Sequence, residues 1–300
     1  MTAGPGSSAT GQLRVGVLGA GVIATADYGV LPNMRHIAGK ARVTAIADTV
    51  PGRAQAVAER FGIPQAFGSL ADMLATADID AVANLTPIPV HAELSLQILA
   101  ARRHLVTEKP LPGSTSGVLG PARRVTALSG SRSGSGARWT RRYDGLRIDV
   151  TADDNTAMLL DFGDSCFGLA DGTFNMHATR APRLEVFGRE GTLVMHYNTN
   201  ETGPNPPVEL YQAATPGPHG RRGGWAELDL GHLDRGQQHV DRVRRALLIE
   251  HLADCVREGR EPELGLARAR HVLEIMIKAM ESARTGAAVD LDTSFAVTPA

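Results

Sequence analysis

Short apolar runs alternate with helical patterns over the first hundred residues of the chain. Strands are predicted where mostly β-branched and apolar residues follow one another, as in central parallel strands covered on both faces: Leu13 to Leu18, Arg42 to Ala47, Ala81 to Leu85 and Leu105 to Thr107. Helices are predicted over Arg53 to Phe61, around Leu70 to Ala75, and from His91 onward. Two prolines predict an extended loop over Thr86 to Pro89. This alternation predicts an α/β fold with a doubly wound parallel sheet.

The first predicted strand runs directly into the glycine pattern GAGVIA. Gly19 permits a tight turn, Gly21 lets backbone N–H groups approach a pyrophosphate, and Ala24 lets the following helix pack closely on the strand. Such a pattern on its own is a weak signal, because glycine-rich turns between strands and helices are common. Its position after a strand nevertheless predicts a dinucleotide site whose cofactor-binding residues are Gly19, Gly21, Val22, Ile23 and Ala24.

Asp48 follows the second predicted strand, where an acid would accept hydrogen bonds from the hydroxyls of the adenosine ribose. This position favours NAD over NADP, because the carboxylate would repel a 2′-phosphate. Arg53 lies nearby and offsets part of that repulsion, so NADP stays open. The alternative interpretation is that Asp48 is only the N-cap of the next helix.

The third and fourth predicted strands add polar residues to the same sheet edge. Because ligands of open parallel sheets bind at the carboxyl ends of the strands, Asn84, Thr86, Pro87 and His91 are candidate cofactor-binding residues. Thr86 as a turn cap and His91 as the first residue of a helix are the competing interpretations. The stretch HLVTEKPL places Glu108 and Lys109 at this edge too. A lysine there is a candidate for acid–base chemistry, since partial burial of a lysine can lower its pKa toward the range useful for that chemistry.

The second half of the chain predicts mainly antiparallel strands and two helices. Pro112 to Arg142 is rich in Gly, Ser and Arg, with one short helix expected around Ala122 to Leu128. Strands and hairpins follow from Arg147 to Met195, with a turn at Gly163 and Asp164. A Pro/Gly-rich loop is expected from Thr202 to Gly224. The predicted domains are a flexible head at 1–12, a nucleotide-binding domain at 13–128, a linker at 129–146 and an α+β domain at 147–300.

The last two helices are predicted from their apolar stripes. The first stripe consists of Val243, Leu247, Leu252 and Val256, and the second of Val272, Leu273, Met276, Ala279, Met280 and Ala283. Gly259 and Gly286 are expected just beyond the two helix ends.

Composition narrows the kind of partner. The 300 residues carry a formal net charge of −1, which argues against nucleic acid or an anionic membrane as the main partner and favours a small molecule. Two cysteines far apart in sequence fit a reducing compartment, and we expect a cytoplasmic location. No spacing of His, Cys and Asp indicates a metal site. Asp153 to Asn155 is interpreted as a turn that leads into a strand.

At this point the motifs resemble those of the Gfo/Idh/MocA oxidoreductases. The resemblance rests on GAGVIA, IADTVPGRA, the passage from NLTPIPVH to EKPL, GREP and ARHVLEIMIKAMESARTG. It implies a Rossmann domain followed by an α/β domain with a large open sheet, hydride transfer to or from a sugar, cyclitol or related polyol, and homo-oligomers formed through that sheet. Lys109 would contact the reacting hydroxyl with Glu108 beside it, and Asn84, Thr86 and His91 would lie near the nicotinamide.

The resemblance is incomplete after Leu111. It implies a longer passage there and an Asp-x-x-x-His motif that completes the catalytic group, and we find no such motif between Pro112 and Arg142. Asp229 and His232 are one residue too close and follow the sheet strands, so a loop is the better interpretation. Two hypotheses stay open: an NAD(P)-dependent oxidoreductase, or a relative that binds the cofactor without efficient turnover. Both predict binding of NAD(H).

Overall fold

A computed structural model of the protein describes residues 11–107, 119–130, 153–173, 184–195, 208–212, 223–228, 240–262 and 265–296. Contacts divide the chain into two compact units. The first consists of Met1–Thr107 and Thr179–Gly259, and the second of Glu108–Ala178 and Arg260–Ala300. Both units therefore combine segments that lie far apart in sequence.

The first unit contains a five-stranded parallel sheet of order β3-β2-β1-β4-β5. Its strands are β1 (Leu13–Leu18), β2 (Ala41–Ala47), β3 (Gln65–Phe67), β4 (Ala81–Asn84) and β5 (His104–Thr107). β1 and β4 are almost completely buried, as their apolar runs require of strands covered on both faces. The predicted doubly wound sheet is confirmed.

Helices cover this sheet between the strands. They are α1 (Val22–Thr25), α2 (Val30–Asn33), a 3₁₀ helix (Met34–Ile37), α3 (Arg53–Phe61), α4 (Leu70–Thr76) and α5 (Ile88–Ala100). The extended loop expected over Thr86 to Pro89 is wrong in its second half, because α5 begins at Ile88 with a proline in its first turn. Proline is tolerated there since first-turn N–H groups have no partner within the helix.

Helix α6 (Val240–Glu258) belongs to the first unit although it lies some 130 residues beyond β5. Its buried residues Ala246, Ile249 and Leu252 pack in one cluster with Leu13 and Val15 of β1. The apolar stripe predicted for α6 is wrong at Val256, which is exposed. The core of the parallel sheet is thus completed by a helix from the far end of the chain.

An ion pair joins the same helix to the turn before β2. Lys40 Nζ lies 2.8 Å from Glu250 Oε1 and 2.9 Å from Asp254 Oδ2. These two hydrogen bonds, with Glu250 contributing most, raise the pKa of Lys40 above its ordinary value. Partly exposed pairs of this kind stabilise a fold only modestly, so the apolar packing provides most of the attachment of α6.

The second unit is built on an antiparallel sheet of order β13-β6-β7-β8. The strands are β6 (Arg124–Gly130), β7 (Asn155–Gly163), β8 (Cys166–Thr173) and β13 (Val289–Asp290). The short helix expected over Ala122 to Leu128 is wrong: Val125 and Ala127 are buried while their neighbours are exposed, which is the alternation of a strand. The expected domain boundary at residue 128 would divide this strand and this sheet.

Helix α7 (Leu266–Thr285) packs on β6, and Gly286 follows its last residue, as predicted. The predicted stripe is only partly correct, because Leu273, Met276 and Met280 are exposed. Two polar residues, His271 and Ser282, are buried instead. Ser282 is buried at little cost because its hydroxyl accepts from the N–H of Ala127 and donates to the carbonyl of Ala287.

A second antiparallel sheet has the order β12-β11-β10-β9. Its strands are β9 (Leu184–Phe187), β10 (Gly191–Met195), β11 (Val208–Gln212) and β12 (Gly224–Glu227). The hairpin of β9 and β10 was predicted, whereas the loop expected over Thr202 to Gly224 contains β11. Across the described ranges, no helix is both long enough and apolar enough to cross a membrane.

Candidate active site at the carboxyl edge of the parallel sheet

The switch point of the parallel sheet lies between β1 and β4. The chain runs from β1 to β2 and β3 on one side and then returns to β4 on the other, so the connections that leave the carboxyl ends of β1 and β4 diverge. Crevices of this kind are where open α/β sheets bind ligands. The glycine turn after β1 and the Asn84–His91 segment after β4 both lie at this edge.

Gly19 makes the turn after β1 in a conformation that side-chain-bearing residues rarely adopt, with φ of +97°. A Cβ atom at Gly19 would lie 3.1 Å from the backbone carbon and oxygen of Leu85. The Gly19 N–H donates to the carbonyl of Ala47 at 2.8 Å. The turn is therefore fixed between the ends of β2 and β4, and glycine is required there.

Gly21 is the second glycine of the turn and has open space in front of it. A Cβ atom at Gly21 would meet no atom of the described residues within 4 Å, and its φ of −81° suits any residue. Neither local strain nor crowding explains a glycine here. The adjacent Val22 is 62% exposed, while Ala24 is buried in the core beneath the turn. This space, beside the exposed residues Gly21 and Val22, fits a pyrophosphate that approaches the backbone closely.

Asp48 lies after β2 and is only 9% exposed. Its Oδ2 accepts a hydrogen bond of 2.8 Å from the N–H of Ala20, and its Oδ1 accepts one of 2.8 Å from the N–H of Val50. Arg53 Nη1 lies 3.5 Å from Oδ2. The carboxylate therefore ties the end of β2 to the glycine turn. A carboxylate has further lone pairs, so these two bonds leave capacity for a ribose hydroxyl.

Asn84 ends β4 and is fully buried with every polar group of its amide engaged. Its Oδ1 accepts from the N–H and the hydroxyl of Thr86, at 3.2 and 2.7 Å. Its Nδ2 donates to the carbonyl of His91 at 3.1 Å and to Ser95 Oγ at 3.0 Å. Asn84 thus holds the connection between β4 and α5 in place, and its amide uses its hydrogen-bonding groups within the protein.

His91 lies in the first turns of α5 and connects the carboxyl ends of β4 and β5. Its Nδ1 lies 2.9 Å from the carbonyl oxygen of Thr86, and its Nε2 is hydrogen-bonded to the hydroxyl of Thr107. Thr107 is the last residue of β5. The structure therefore brings Asn84, Thr86, His91 and Thr107 into one network, and Gly19 lies against Leu85 next to it.

Sequence reasoning missed two members of this network. Thr107 is a polar residue at the end of a predicted strand, at the edge where the other candidates lie, and that position could have identified it. Ser95 lies four residues after His91, so both fall on one helix face. Glu108 and Lys109, the two catalytic candidates, lie outside the described residues, as do Asp229 and His232. Pro87 is exposed as the residue before α5.

Two family models together match almost the whole chain. The one described as "Oxidoreductase family, NAD-binding Rossmann fold" matches residues 13–118, and the one described as "Oxidoreductase family, C-terminal alpha/beta domain" matches residues 116–291. The chain belongs to the Gfo/Idh/MocA oxidoreductase family. NAD is accordingly the cofactor that this family's Rossmann fold binds, and the predicted family resemblance is confirmed.

Individual members of the Gfo/Idh/MocA family resemble the chain over part of its length. It is 34% identical over 153 residues to an inositol 2-dehydrogenase of Mycolicibacterium gilvum, which is 51% of this chain and 41% of that protein. It is 36% identical over 95 residues to a D-xylose 1-dehydrogenase (NADP(+)) of Haloferax volcanii, which is 31% of this chain and 29% of that protein. The chain thus spans less than half of the length of the curated relatives that it matches.

The fold of this family member also matches solved structures. A levoglucosan dehydrogenase in complex with NADH and L-sorbose superposes with a TM-score of 0.71 at 16% identity, covering 94% of this chain and 99% of the other. At this identity the likeness shows the shared fold. Within the described ranges, no group of three or more His, Cys, Asp or Glu side chains is placed to hold a metal ion.

Proposed function

We propose that the protein is an NAD(P)-dependent oxidoreductase that transfers a hydride between the nicotinamide and a hydroxyl-bearing or carbonyl carbon of a sugar, cyclitol or related polyol. The single observation that carries this proposal is the open space at Gly21, beside a turn that Gly19 fixes at the switch point of the sheet. Family membership supports the reaction class. The names of the two relatives, an inositol and a xylose dehydrogenase, support the substrate class.

We assign the cofactor-binding role to the glycine turn and to the residues after β2. Gly19, Gly21, Val22, Ile23 and Ala24 would receive the pyrophosphate, and Asp48 the adenosine ribose. The buried carboxylate of Asp48 supports NAD over NADP, because a 2′-phosphate beside it would be repelled. Arg53, 3.5 Å from that carboxylate, offsets part of the repulsion. Titrations with NADH and NADPH test this preference, and tighter binding of NADPH would contradict it.

We assign the chemistry to Lys109, with Glu108 beside it. The nicotinamide, when bound, supplies the hydride acceptor or donor. Lys109 follows Thr107, the last residue of β5, by two positions in the sequence. Its neutral amine would accept the hydroxyl proton when the substrate is oxidised, and its ammonium would return a proton to the oxygen when the substrate is reduced. The family motif Glu108-Lys109-Pro110 supports this assignment. None of the comparisons favours the alternative of a relative that binds the cofactor without turnover.

The test is a fluorescence titration with NADH followed by a panel of polyols and aldoses, monitored at the nicotinamide absorbance. Wild-type protein is expected to bind NADH and to oxidise at least one member of the panel. Lys109→Ala should abolish turnover and leave NADH affinity within about threefold, because the lysine acts on the substrate oxygen. Lys278→Ala, at an ion pair on α7, is the matched control and should leave both unchanged. Failure of wild-type protein to bind NADH would exclude the proposal.

We also propose that two copies of the chain associate through the outer face of the second unit's sheet. Leu159 pairs with Leu169 across β7 and β8, and Leu128 and Phe167 lie on the same face by the pairing register. All four side chains are exposed, and Leu169 is 81% exposed. The opposite face of this sheet packs on α7. Contiguous exposed apolar side chains are typical of interfaces between proteins, which supports a homo-oligomer here.

A further inference from the structure

The tautomer of His91 follows from its partners. The carbonyl oxygen of Thr86, 2.9 Å from Nδ1, can only accept a hydrogen bond, so Nδ1 must carry the proton. In the neutral imidazole Nε2 is then an acceptor. Its partner is the hydroxyl of Thr107, which therefore donates a hydrogen bond to Nε2 of His91. Both ring nitrogens are occupied by protein groups, so His91 does not offer a free nitrogen to a ligand.

The position of His91 is itself fixed by the buried amide of Asn84. That amide binds the carbonyl of His91 and the N–H and hydroxyl of Thr86. The hydrogen bonds therefore run in one chain from the carboxyl end of β4, through the start of α5, to the carboxyl end of β5. Rigid elements held by such bonds place a catalytic group more accurately than a loop does.

We propose that His91 and Thr107 are positioning residues, which set the direction in which the chain leaves β5 toward Lys109. Thr107 precedes Lys109 by two residues, so its backbone orientation determines where the path to the lysine begins. Loss of the Thr107 hydroxyl would leave Nε2 of His91 without its partner and remove the side-chain bond between α5 and the last residue of β5. Small displacements of a reacting group reduce catalysis strongly while binding elsewhere is unaffected. This inference rests on the proposed role of Lys109 in hydride-transfer chemistry.

The test compares Thr107→Val, which removes the hydroxyl at constant shape, with Thr107→Ser, which keeps it. Thr107→Val should lower kcat by about tenfold or more with NADH affinity within about twofold of wild type, and Thr107→Ser should restore kcat. A merely structural role would lower the thermal stability of Thr107→Val and reduce kcat and NADH affinity together, without this split. Unchanged kcat in Thr107→Val, or a loss in Thr107→Ser as large as in Thr107→Val, would overturn the proposal.

A second measurement does not depend on turnover. In protein labelled with ¹⁵N at its histidines, the His91 signals, assigned by their loss in His91→Gln, should show the Nδ1–H tautomer, and Nε2 should shift in Thr107→Val. An Nε2–H tautomer in wild-type protein would overturn the proposal. If no substrate is turned over, the proposed function fails by itself, and the tautomer still decides whether His91 and Thr107 are linked.

Discussion

The carboxylate of Asp48 accepts a hydrogen bond of 2.8 Å from the backbone N–H of Ala20. This bond joins the residue after β2 to the glycine turn after β1, so the acid shapes the turn that is proposed to receive the cofactor. The sequence alone predicts Asp48 as a ribose acceptor. The structure adds that the same side chain holds the turn in place before any cofactor arrives.

Asp48→Asn should lower both stability and NADH affinity. An amide has only one acceptor oxygen, so its NH₂ group would face the N–H of either Ala20 or Val50. A buried donor left without an acceptor costs about 1–3 kcal/mol. Thermal unfolding and NADH titration measure the two effects. Asp164→Asn, at an exposed turn between β7 and β8, is the control, and equal behaviour of the two variants would contradict the role given to Asp48.

Ile249→Ala should destabilise the parallel sheet although it lies on α6. Ile249 is fully buried in one cluster with residues of β1, and truncation of a buried isoleucine costs about 2–5 kcal/mol. Hydrogen exchange at the amides of β1 should become faster in this variant. Val256→Ala, an exposed site on the same helix, should leave that exchange unchanged. Slow exchange in β1 of Ile249→Ala would show that α6 does not support the sheet.

The stability of the second unit should fall in mild acid because of His271. This side chain is 0% exposed, and burial lowers its pKa below the ordinary value of 6.5. The hydroxyl of Thr293 donates a hydrogen bond to Glu274. The same hydroxyl oxygen therefore accepts a hydrogen bond from Nδ1 of His271, at 3.0 Å. Nε2 therefore carries no proton, and it has no hydrogen-bond partner among the described residues. The unfolded chain binds a proton at about pH 6.5, whereas the folded chain binds it only at lower pH.

Stability that depends on a neutral His271 is consequently present above about pH 6.5 and is lost progressively as the pH falls below it. Thermal unfolding at pH 7.5 and 5.5 should show a larger loss in wild-type protein than in His271→Gln. His104→Gln, at an exposed residue, is the control and should behave as wild type. If His271→Gln lost as much stability as wild-type protein, another group would be responsible.

Leu169→Glu should convert the proposed homo-oligomer to monomer. A buried carboxylate at the centre of an apolar interface has no partner and must be desolvated. Sedimentation or light scattering measures the mass of the protein in solution. Leu266→Glu is the matched control, since Leu266 is about equally exposed on α7, outside the sheet. A wild-type monomer, or the same mass in both variants, would contradict an interface at this face.

The parallel sheet was predictable because its signals are local. β1 and α3 begin and end at the predicted residues. The signals that set these ends lie within a few residues of them: an apolar run that stops at Gly19, and a helix that stops at Gly62. The contribution of α6 to the same core was not predictable. Its burial depends on contacts with residues some 200 positions earlier, which no local pattern contains.

β6 was misread because Ala122 to Leu128 has the composition of a weak helix. Pairing with β7 and packing on α7 outweigh that local preference. In the candidate site, the glycines and the acid were predictable from their spacing. The hydrogen bonds of Asn84 and His91 were not predictable from the sequence, because the distance from His91 to Thr107 depends on the pairing of β4 with β5 in the sheet.

The most direct test of the account is the affinity for NADH of Gly21→Ala compared with Gly39→Ala. In the described structure both sites leave space for a methyl group, so neither variant should lose much stability. If the pyrophosphate occupies the space at Gly21, the Kd of Gly21→Ala for NADH should rise about tenfold or more, which is roughly 1.4 kcal/mol. Gly39→Ala should bind NADH as wild type does. Equal and unchanged affinities in the two variants would contradict a cofactor site at this turn.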